Sequence, residues 1–355
     1  MFNKKMWLDD DRYIIKYYNI NPKKEWIDIL SSYITQRQLF DYSIRYELEE
    51  IIENYIKSDI LLVNSGTSAI LMSMLIYNFK EDDEIIGPVY SNPAWLSCCK
   101  FLKLKPIFVD ISKKTLCIDP SLVENKITNK TKAIIFVNHG GYIGNDLRVI
   151  KNICEKHNII MIEDSCSSLG CFNNKKHAGT TGDIGMLSFS QPKLISCGEG
   201  GAIIINDINV SQKFQALRYH GGWYEGKDRK YKGIGVNFNI SQLLCYYLKA
   251  QFDDIKYIED SKNKVFEIYK KYGINSITNS FISIYSEKAY NIYKKLESLK
   301  IQSLYKYYKC IDNLNFYKNS TYVYENLIQL PSSYQLNEKQ IRIICGIVKM
   351  VDKNV

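Results

Sequence analysis

The chain reads as an α/β protein built on a mainly parallel sheet with helices on both faces. Short β-rich apolar runs alternate with segments of helical period, the pattern that a parallel sheet with crossover helices leaves in a sequence. The chemistry-bearing residues cluster just after those runs, where ligands gather at the carboxyl ends of parallel strands. At 355 residues, 46% hydrophobic and 24% charged, the chain can bury roughly three-quarters of its unfolded surface. One large domain followed by a smaller one is the expected division, at 1–240 and 241–355.

The expected strands, in order, are 60–63, 84–88, 106–109, 132–137, 159–163, 186–189 and 202–206. Between the fourth and fifth, Leu147, Ile150, Ile153 and Cys154 form a 3.6-residue stripe that closes at Lys156-His157-Asn158. Residues 242–272 read as one long helix, bent somewhere along its length. A strand over 281–285 and a helix over 287–299 follow. The last helix opens at Asn337, where Gln340 completes a capping box, and runs through Ile341, Ile344, Cys345 and Val348. The sequence has no internal repeat and no low-complexity linker.

Composition narrows the function. The N-terminal Met1-Phe2-Asn3-Lys4-Lys5-Met6-Trp7-Leu8-Asp9-Asp10-Asp11 has no apolar core and is no secretory signal. Apolar runs such as 133–137 and 202–205 are far too short to span a membrane. None of the ten cysteines forms a Cys-x-x-Cys pair, and several fall in apolar patterns. Free buried thiols in a reducing cytoplasm are expected, with no zinc or other metal. The net charge of +9 comes from scattered lysines, without a nucleic-acid module. It suits the steering of an anionic small substrate.

The most informative stretch is Ser188-Phe189-Ser190-Gln191-Pro192-Lys193, followed by Gly198-Glu199-Gly200-Gly201. Asp164 stands upstream at the end of Ile159-Ile160-Met161-Ile162-Glu163-Asp164. A loop lysine with a strand-end carboxylate is what pyridoxal 5'-phosphate (PLP) chemistry requires. The amine forms a Schiff base with the cofactor aldehyde, and the carboxylate keeps the pyridine nitrogen protonated so that the ring accepts electrons. Asn64-Ser65-Gly66-Thr67-Ser68-Ala69 follows a strand and opens a helix, where free N–H groups and the helix dipole suit a phosphate. Alone, that turn is a weak signal, since many helices start so.

These segments resemble the DegT/DnrJ/StrS family of PLP-dependent sugar aminotransferases, matching its E-D-x-x-x-x-x-G, S-F-x-x-x-K and G-E-G-G signatures. The resemblance covers about residues 40–350, dense over 60–240 and thin after 273, where the C-terminal domain looks shortened. It implies a seven-stranded mixed sheet between helices and a small C-terminal α/β domain. It also implies Lys193 as Schiff-base lysine and proton shuttle and Asp164 as pyridinium partner. Gly66, Thr67, Ser68 and Ser188 become the phosphate loop, and Ser167 takes the place of a glutamine common in the family. Gly235-Val236-Asn237-Phe238-Asn239 is similar to the family's G-x-N-x-R turn, so Asn237 is expected to reach the cofactor phosphate of a second subunit in a homodimer.

The sequence departs from the family at three places. Asn239 replaces the turn's arginine, Ser167 the glutamine, and Asn92 an aromatic residue that stacks on the cofactor. Tyr90 and Trp95 are the candidate replacements for that ring. His220, in an R-x-H-G turn, and the basic Lys227 and Arg229 are candidate substrate residues, as is Tyr90. The activity implied by resemblance is transfer of an amino group, with L-glutamate as donor, to a nucleotide-linked keto sugar for surface polysaccharide or a related glycan. A small phosphorylated ketone is the alternative acceptor. A sugar dehydratase of the same fold would have histidine where Lys193 stands.

Overall fold

The computed structural model describes residues 13–18, 21–35, 43–225, 228–231 and 233–355. Strand alternation builds its large core. In β1 (Asp59–Val63), Leu61 and Val63 enter one apolar cluster while Ile60 and Leu62 enter another on the opposite face. Such burial on both faces marks a sheet covered by helices on either side. The remaining large-sheet strands are β2 (Glu84–Pro88), β3 (Lys105–Val109), β4 (Thr131–Val137), β5 (Ile160–Asp164), β8 (Ile184–Ser188) and β9 (Gly201–Ile205). A small hairpin, β6 (Phe172–Asn173) with β7 (Lys176–His177), intervenes.

The sheet order is β1-β9-β8-β5-β4-β2-β3. Only β9 runs antiparallel to its neighbours, β1 and β8. This is the seven-stranded, mostly parallel sheet that was expected, and each strand lies within two residues of its expected place. Register aligns the ends that matter. Val137 pairs with Asp164, Asp164 with Met186, and Gly201 with both Ser188 and Val63. The turns after β1, β4, β5 and β8 therefore converge on one edge of the sheet.

Helices α1 (Lys24–Thr35), α2 (Ser43–Ile56), α3 (Gly66–Ile76), α4 (Ala94–Phe101), α5 (Asn145–His157) and α6 (Ser211–Arg218) serve this large unit. The α5 stripe is buried as expected, and Asn158 ends the helix in the left-handed region at φ 53°. A hairpin, β10 (Gly222–Glu225) with β11 (Asp228–Tyr231), follows α6.

The expected long helix is two, α7 (Gln242–Asp253) and α8 (Ile255–Lys271), divided at Asp254. The Asp254 carboxylate accepts from Lys23 Nζ and Trp26 Nε1, each at 2.8 Å, which pins the break to the N-terminal segment. Helix α7 packs on α1 and α2 in the core that holds Phe189. Val265 and Tyr269 of α8 belong to a separate core. That core also holds β12 (Ser283–Tyr285), α9 (Ala289–Ser298), β13 (Leu304–Tyr305), β14 (Leu327–Gln329) and α11 (Glu338–Val351), with sheet order β12-β14-β13. Val323 of α10 (Lys318–Asn326) packs in a further cluster with Tyr90, Ile111, Leu116 and Leu327. The Asn337–Gln340 capping box is present at α11. Among the described residues, no helix is long and apolar enough to cross a membrane.

Candidate active site

The turn from β1 into α3 is shaped by serine and glycine. Ser65 is extended at φ −166° and its hydroxyl accepts from Ser68 N at 3.0 Å, a side-chain N-cap. Gly66 is tightly enclosed, since an added Cβ would lie 3.0 Å from Cys166 Sγ and 3.1 Å from Ser188 Cβ and would press both aside. Gly201 presses on the same turn, because a Cβ there would fall 2.6 Å from the Ser65 carbonyl carbon. Glycine at both positions lets three backbone segments close around the α3 N-terminus. The first N–H groups of a helix have no intrahelical acceptor, so they present an anion site. Across from them, Ser188 Oγ and Ser190 Oγ are 3.0 Å apart.

Strands β5 and β4 contribute the opposite wall. Asp164 is buried, and its Oδ1 accepts from Cys166 N at 3.1 Å. Lys193 Nζ donates to Ser167 Oγ at 2.8 Å. Desolvation pushes the Lys193 amine below its ordinary value, opposed by the neighbouring Cys166 and Asp164. A larger neutral fraction of the amine is what a nucleophile or proton carrier needs.

Asn138 and His139 follow β4 beside Asp164, and the sequence reading missed both. Asn138 N donates to Asp164 O at 2.8 Å, and Asn138 O accepts from Ser168 Oγ at 2.9 Å. Its side-chain amide, by contrast, has no partner on either Oδ1 or Nδ2 although the residue is 1% exposed. His139 Nε2 is likewise buried and unpartnered. Burial, reinforced by Lys193, drives the His139 pKa down to about 3, so the ring is neutral. Buried polar atoms are nearly always satisfied. Orphaned donors and acceptors at a strand end beside a lysine and a carboxylate fit a polar, anionic ring compound such as PLP.

A cavity of about 130 Å³ joins these groups. Gly66, Thr67, Asp164, Ser167, Ser188 and Lys193 all line it, bringing together most of the expected cofactor residues. Ser68 does not line it, its hydroxyl and N–H being engaged by Ser65. A second chamber of about 50 Å³ shares Cys166, Ser167, Lys193 and Tyr308 with the first. A larger depression, about 750 Å³, lies at the opposite edge of the sheet near Tyr77, Thr128 and Ile159; its lysines and carboxylates, Lys80, Lys132, Asp83 and Glu124, are exposed or half-buried, unlike Asp164.

Several expectations need correction. Tyr90 lines neither chamber; it is buried against His139 and Tyr308, with ring centroids 5.6 and 6.2 Å away. Trp95 points into the sheet core beside Phe108, its Nε1 donating to Ser91 Oγ at 3.0 Å. Neither can replace the missing ring at Asn92, whose Oδ1 accepts from Ala94 N at 3.0 Å at the start of α4. The rings that do line the cavity are His139 and Tyr308. The β4 strand end could have flagged His139, but nothing local flags Tyr308.

His220 is exposed in the left-handed region at φ 55° and lines neither chamber of its own chain. Asn237 is also exposed, its Oδ1 accepting from Asn239 N at 3.2 Å and Nδ2 at 3.1 Å. Arg229 lies on β11, and Lys227 lies outside the described residues. All ten cysteines are free, and no described group of histidine, cysteine and acidic residues could hold a metal.

The model of the DegT/DnrJ/EryC1/StrS aminotransferase family matches residues 23–289. GDP-perosamine synthase of Escherichia coli O157:H7 is 32% identical over 220 residues, covering 61% of this chain and 58% of that protein. Among solved structures, Helicobacter pylori PseC, an aminotransferase involved in the biosynthesis of pseudoaminic acid, superposes with a TM-score of 0.85. It is 22% identical, over 96% of this chain and 99% of that one. The putative sugar aminotransferase Spr1654 from Streptococcus pneumoniae, in its PMP form, gives a TM-score of 0.86 at 19% identity. That match covers 95% of this chain and 97% of the other.

Proposed function

The chain belongs to the DegT/DnrJ/EryC1/StrS aminotransferase family, a family of PLP-dependent transaminases, and from that premise we propose that it aminates the keto group of a nucleotide-linked sugar. The donor is an amino acid, L-glutamate, and the product serves a surface polysaccharide or related glycan. The nucleotide-linked acceptor rests on GDP-perosamine synthase, a relative at 32% identity. We place the enzyme in the cytoplasm, where ten free thiols are stable.

One observation carries this reading. Lys193 and Asp164 line a single strand-end cavity with the glycine-shaped N-terminus of α3. Bound there, PLP supplies an electron-withdrawing ring that makes an amino-acid Cα–H removable as a proton. Asp164 is the carboxylate for the ring nitrogen. Thr67, Ser188 and the first N–H groups of α3 hold the phosphate. Asn138 and His139 offer unpartnered polar atoms to the ring's substituents. Lys193 Nζ, with its basicity lowered by burial, would carry the donor's Cα proton to the cofactor carbon that takes over the amine, and in the second half of the transfer would carry a proton from that carbon to the acceptor carbon. Ser167 Oγ fixes that amine by its 2.8 Å hydrogen bond. A homodimer completes each site through the partner's copy of Asn237, which is exposed in a single chain.

Borohydride reduction of the PLP-loaded protein and peptide mapping should tag Lys193, and Lys193→Ala should abolish turnover. The pyridoxamine-loaded protein is then offered a panel of acceptors while cofactor absorbance is followed. Turnover of a nucleotide-linked keto sugar is the expected result. A tag elsewhere would remove the assignment of Lys193, and turnover of small ketose phosphates alone would replace the acceptor.

A further inference from the structure

We propose that the smaller chamber behind Lys193 is a carboxylate subsite, built by Lys262, Gln329 and Tyr18, that holds the α-carboxylate of the amino-acid donor. The proposal rests on the aminotransferase reading above, and deepens it by assigning residues to the donor.

Three distant parts of the chain meet here: the N-terminal segment with Tyr17 and Tyr18, helix α8 with Lys262, and strand β14 with Gln329. Lys262 is only 7% exposed, yet it makes no hydrogen bond or ion pair with any described residue. Glu259, one turn earlier on α8, is already engaged by the Tyr55 hydroxyl. The ammonium lies over the Phe266 ring, with the centroid 5.8 Å away. An ammonium without a counter-charge in the wall of a small chamber draws an anion to it.

Gln329 is oriented to help. Its Oε1 accepts from Tyr17 OH at 2.9 Å, which leaves Nε2 as a buried amide donor with no acceptor. Tyr18 OH is also buried and unpartnered. The chamber thus collects an ammonium, an amide N–H and a hydroxyl, while no aspartate or glutamate lines it. Donors without a charged acceptor select an anion that has several lone pairs, which describes a carboxylate.

Size and position decide which carboxylate. About 50 Å³ is room for a group the size of a very few waters. A nucleotide-sized ligand needs roughly 300 Å³ or more, so the acceptor's nucleotide is excluded. The chamber shares Lys193 and Ser167 with the cofactor cavity. An α-carboxylate is one carbon from the amine that must be delivered beside Lys193. Holding it here would fix the donor Cα–H within reach of that amine.

The test uses PLP-loaded protein and two probes that cannot react, glutarate and UDP, with calorimetric binding to wild type, Lys262→Met, Lys262→Arg and Gln329→Leu. Lys262→Met should weaken glutarate at least tenfold, Gln329→Leu several-fold, and Lys262→Arg least of all. UDP affinity should stay within twofold in every variant. Unchanged glutarate affinity in Lys262→Met overturns the subsite, as does an equal loss for UDP, which would give the cation to the acceptor's phosphates. Should Lys262→Met lose its unfolding transition, Lys262→Arg and Gln329→Leu decide the matter by the same two readouts. Borohydride tagging of wild-type Lys193 reads the parent assignment separately. A tagged protein with unaltered glutarate binding rejects the subsite alone.

Discussion

Arg218 and Glu49 form an ion pair at 2.6 Å with side chains 2% and 8% exposed, which makes it a structural tie and not a surface contact. Glu49 Oε1 also accepts from Leu62 N at 2.8 Å, and Arg218 Nη1 donates to Leu62 O at 3.1 Å. Arg218 Nη2 is held by Gln215 Oε1 at 2.7 Å. The network links α2, β1 and the end of α6, and so fixes the turn from which Tyr219 pairs with Asn237. Removing one partner strands a buried charge. Glu49→Leu or Arg218→Met should each cost about 3–5 kcal/mol in urea unfolding. The double variant should recover much of that loss, because no charge is left unpaired. Single costs below about 1 kcal/mol, the range of exposed pairs, would show that the pair is not a tie.

The Asn138 amide predicts opposite effects on the empty and the loaded protein. Asn138→Leu keeps the shape and deletes two buried, unsatisfied polar atoms, so the apoprotein should be at least as stable by thermal unfolding. PLP affinity should fall about tenfold by equilibrium titration, equivalent to about 1.4 kcal/mol for one lost hydrogen bond to a polar ring. A drop in apoprotein stability with no change in PLP affinity would make Asn138 a structural residue only.

What could be read from the sequence was local. Most of the seven strands announced themselves because both faces are buried, as Leu61 and Leu62 show on consecutive positions, the half-buried edge strand β3 being the exception. Lys193, Asp164 and Gly66 were legible because their spacing along the chain is fixed by the strands they follow. Tyr90 and Trp95 misled because proximity to Asn92 in sequence says nothing about which face of the turn a ring takes. Both rings found more burial away from the cavity, Trp95 against Phe108 and Tyr90 against Tyr308. Tyr308 and Lys262 were illegible for the converse reason. They reach Lys193 only through the packing of α8 and the small sheet, which no local pattern encodes. The break at Asp254 was hidden in the same way, being set by Lys23 and Trp26 more than two hundred residues upstream.

Shared sites in a homodimer can be read by complementation. Lys193→Ala and Asn237→Asp should each be inactive or nearly so. In a mixed dimer, one site carries both defects and the other is intact if Asn237 serves the partner's cavity. Activity should therefore return on refolding the two variants together. No recovery, alongside normal dimer formation by sedimentation, would place Asn237 in its own chain's site or in none.

His177 makes acid stability a measurable consequence of one hydrogen-bond pattern. Its Nδ1 donates to Ala178 O at 2.5 Å, and its Nε2 accepts from Gly170 N at 3.1 Å, so both nitrogens are satisfied only in the neutral ring. A proton on Nε2 would face the Gly170 N–H with nothing to accept it. Burial lowers the pKa from 6.5 to about 4; the Ala178 carbonyl opposes the shift and the nearby Lys262 adds to it. Because the folded value lies below the ordinary one, protons bind the unfolded chain first. The stability is whole above pH 6.5 and drains away as pH falls toward 4. At pH 5 the loss from this one group should be about 2 kcal/mol, and His139, also buried and neutral, adds to it with the same sign. Urea unfolding at pH 7.5 and pH 5 of wild type and His177→Gln isolates the contribution. The variant should lose about 2 kcal/mol less than wild type between the two pH values, whatever its stability at pH 7.5. Equal losses would mean that His177 accepts its proton in the folded protein, and that the Gly170 hydrogen bond does not hold the ring neutral.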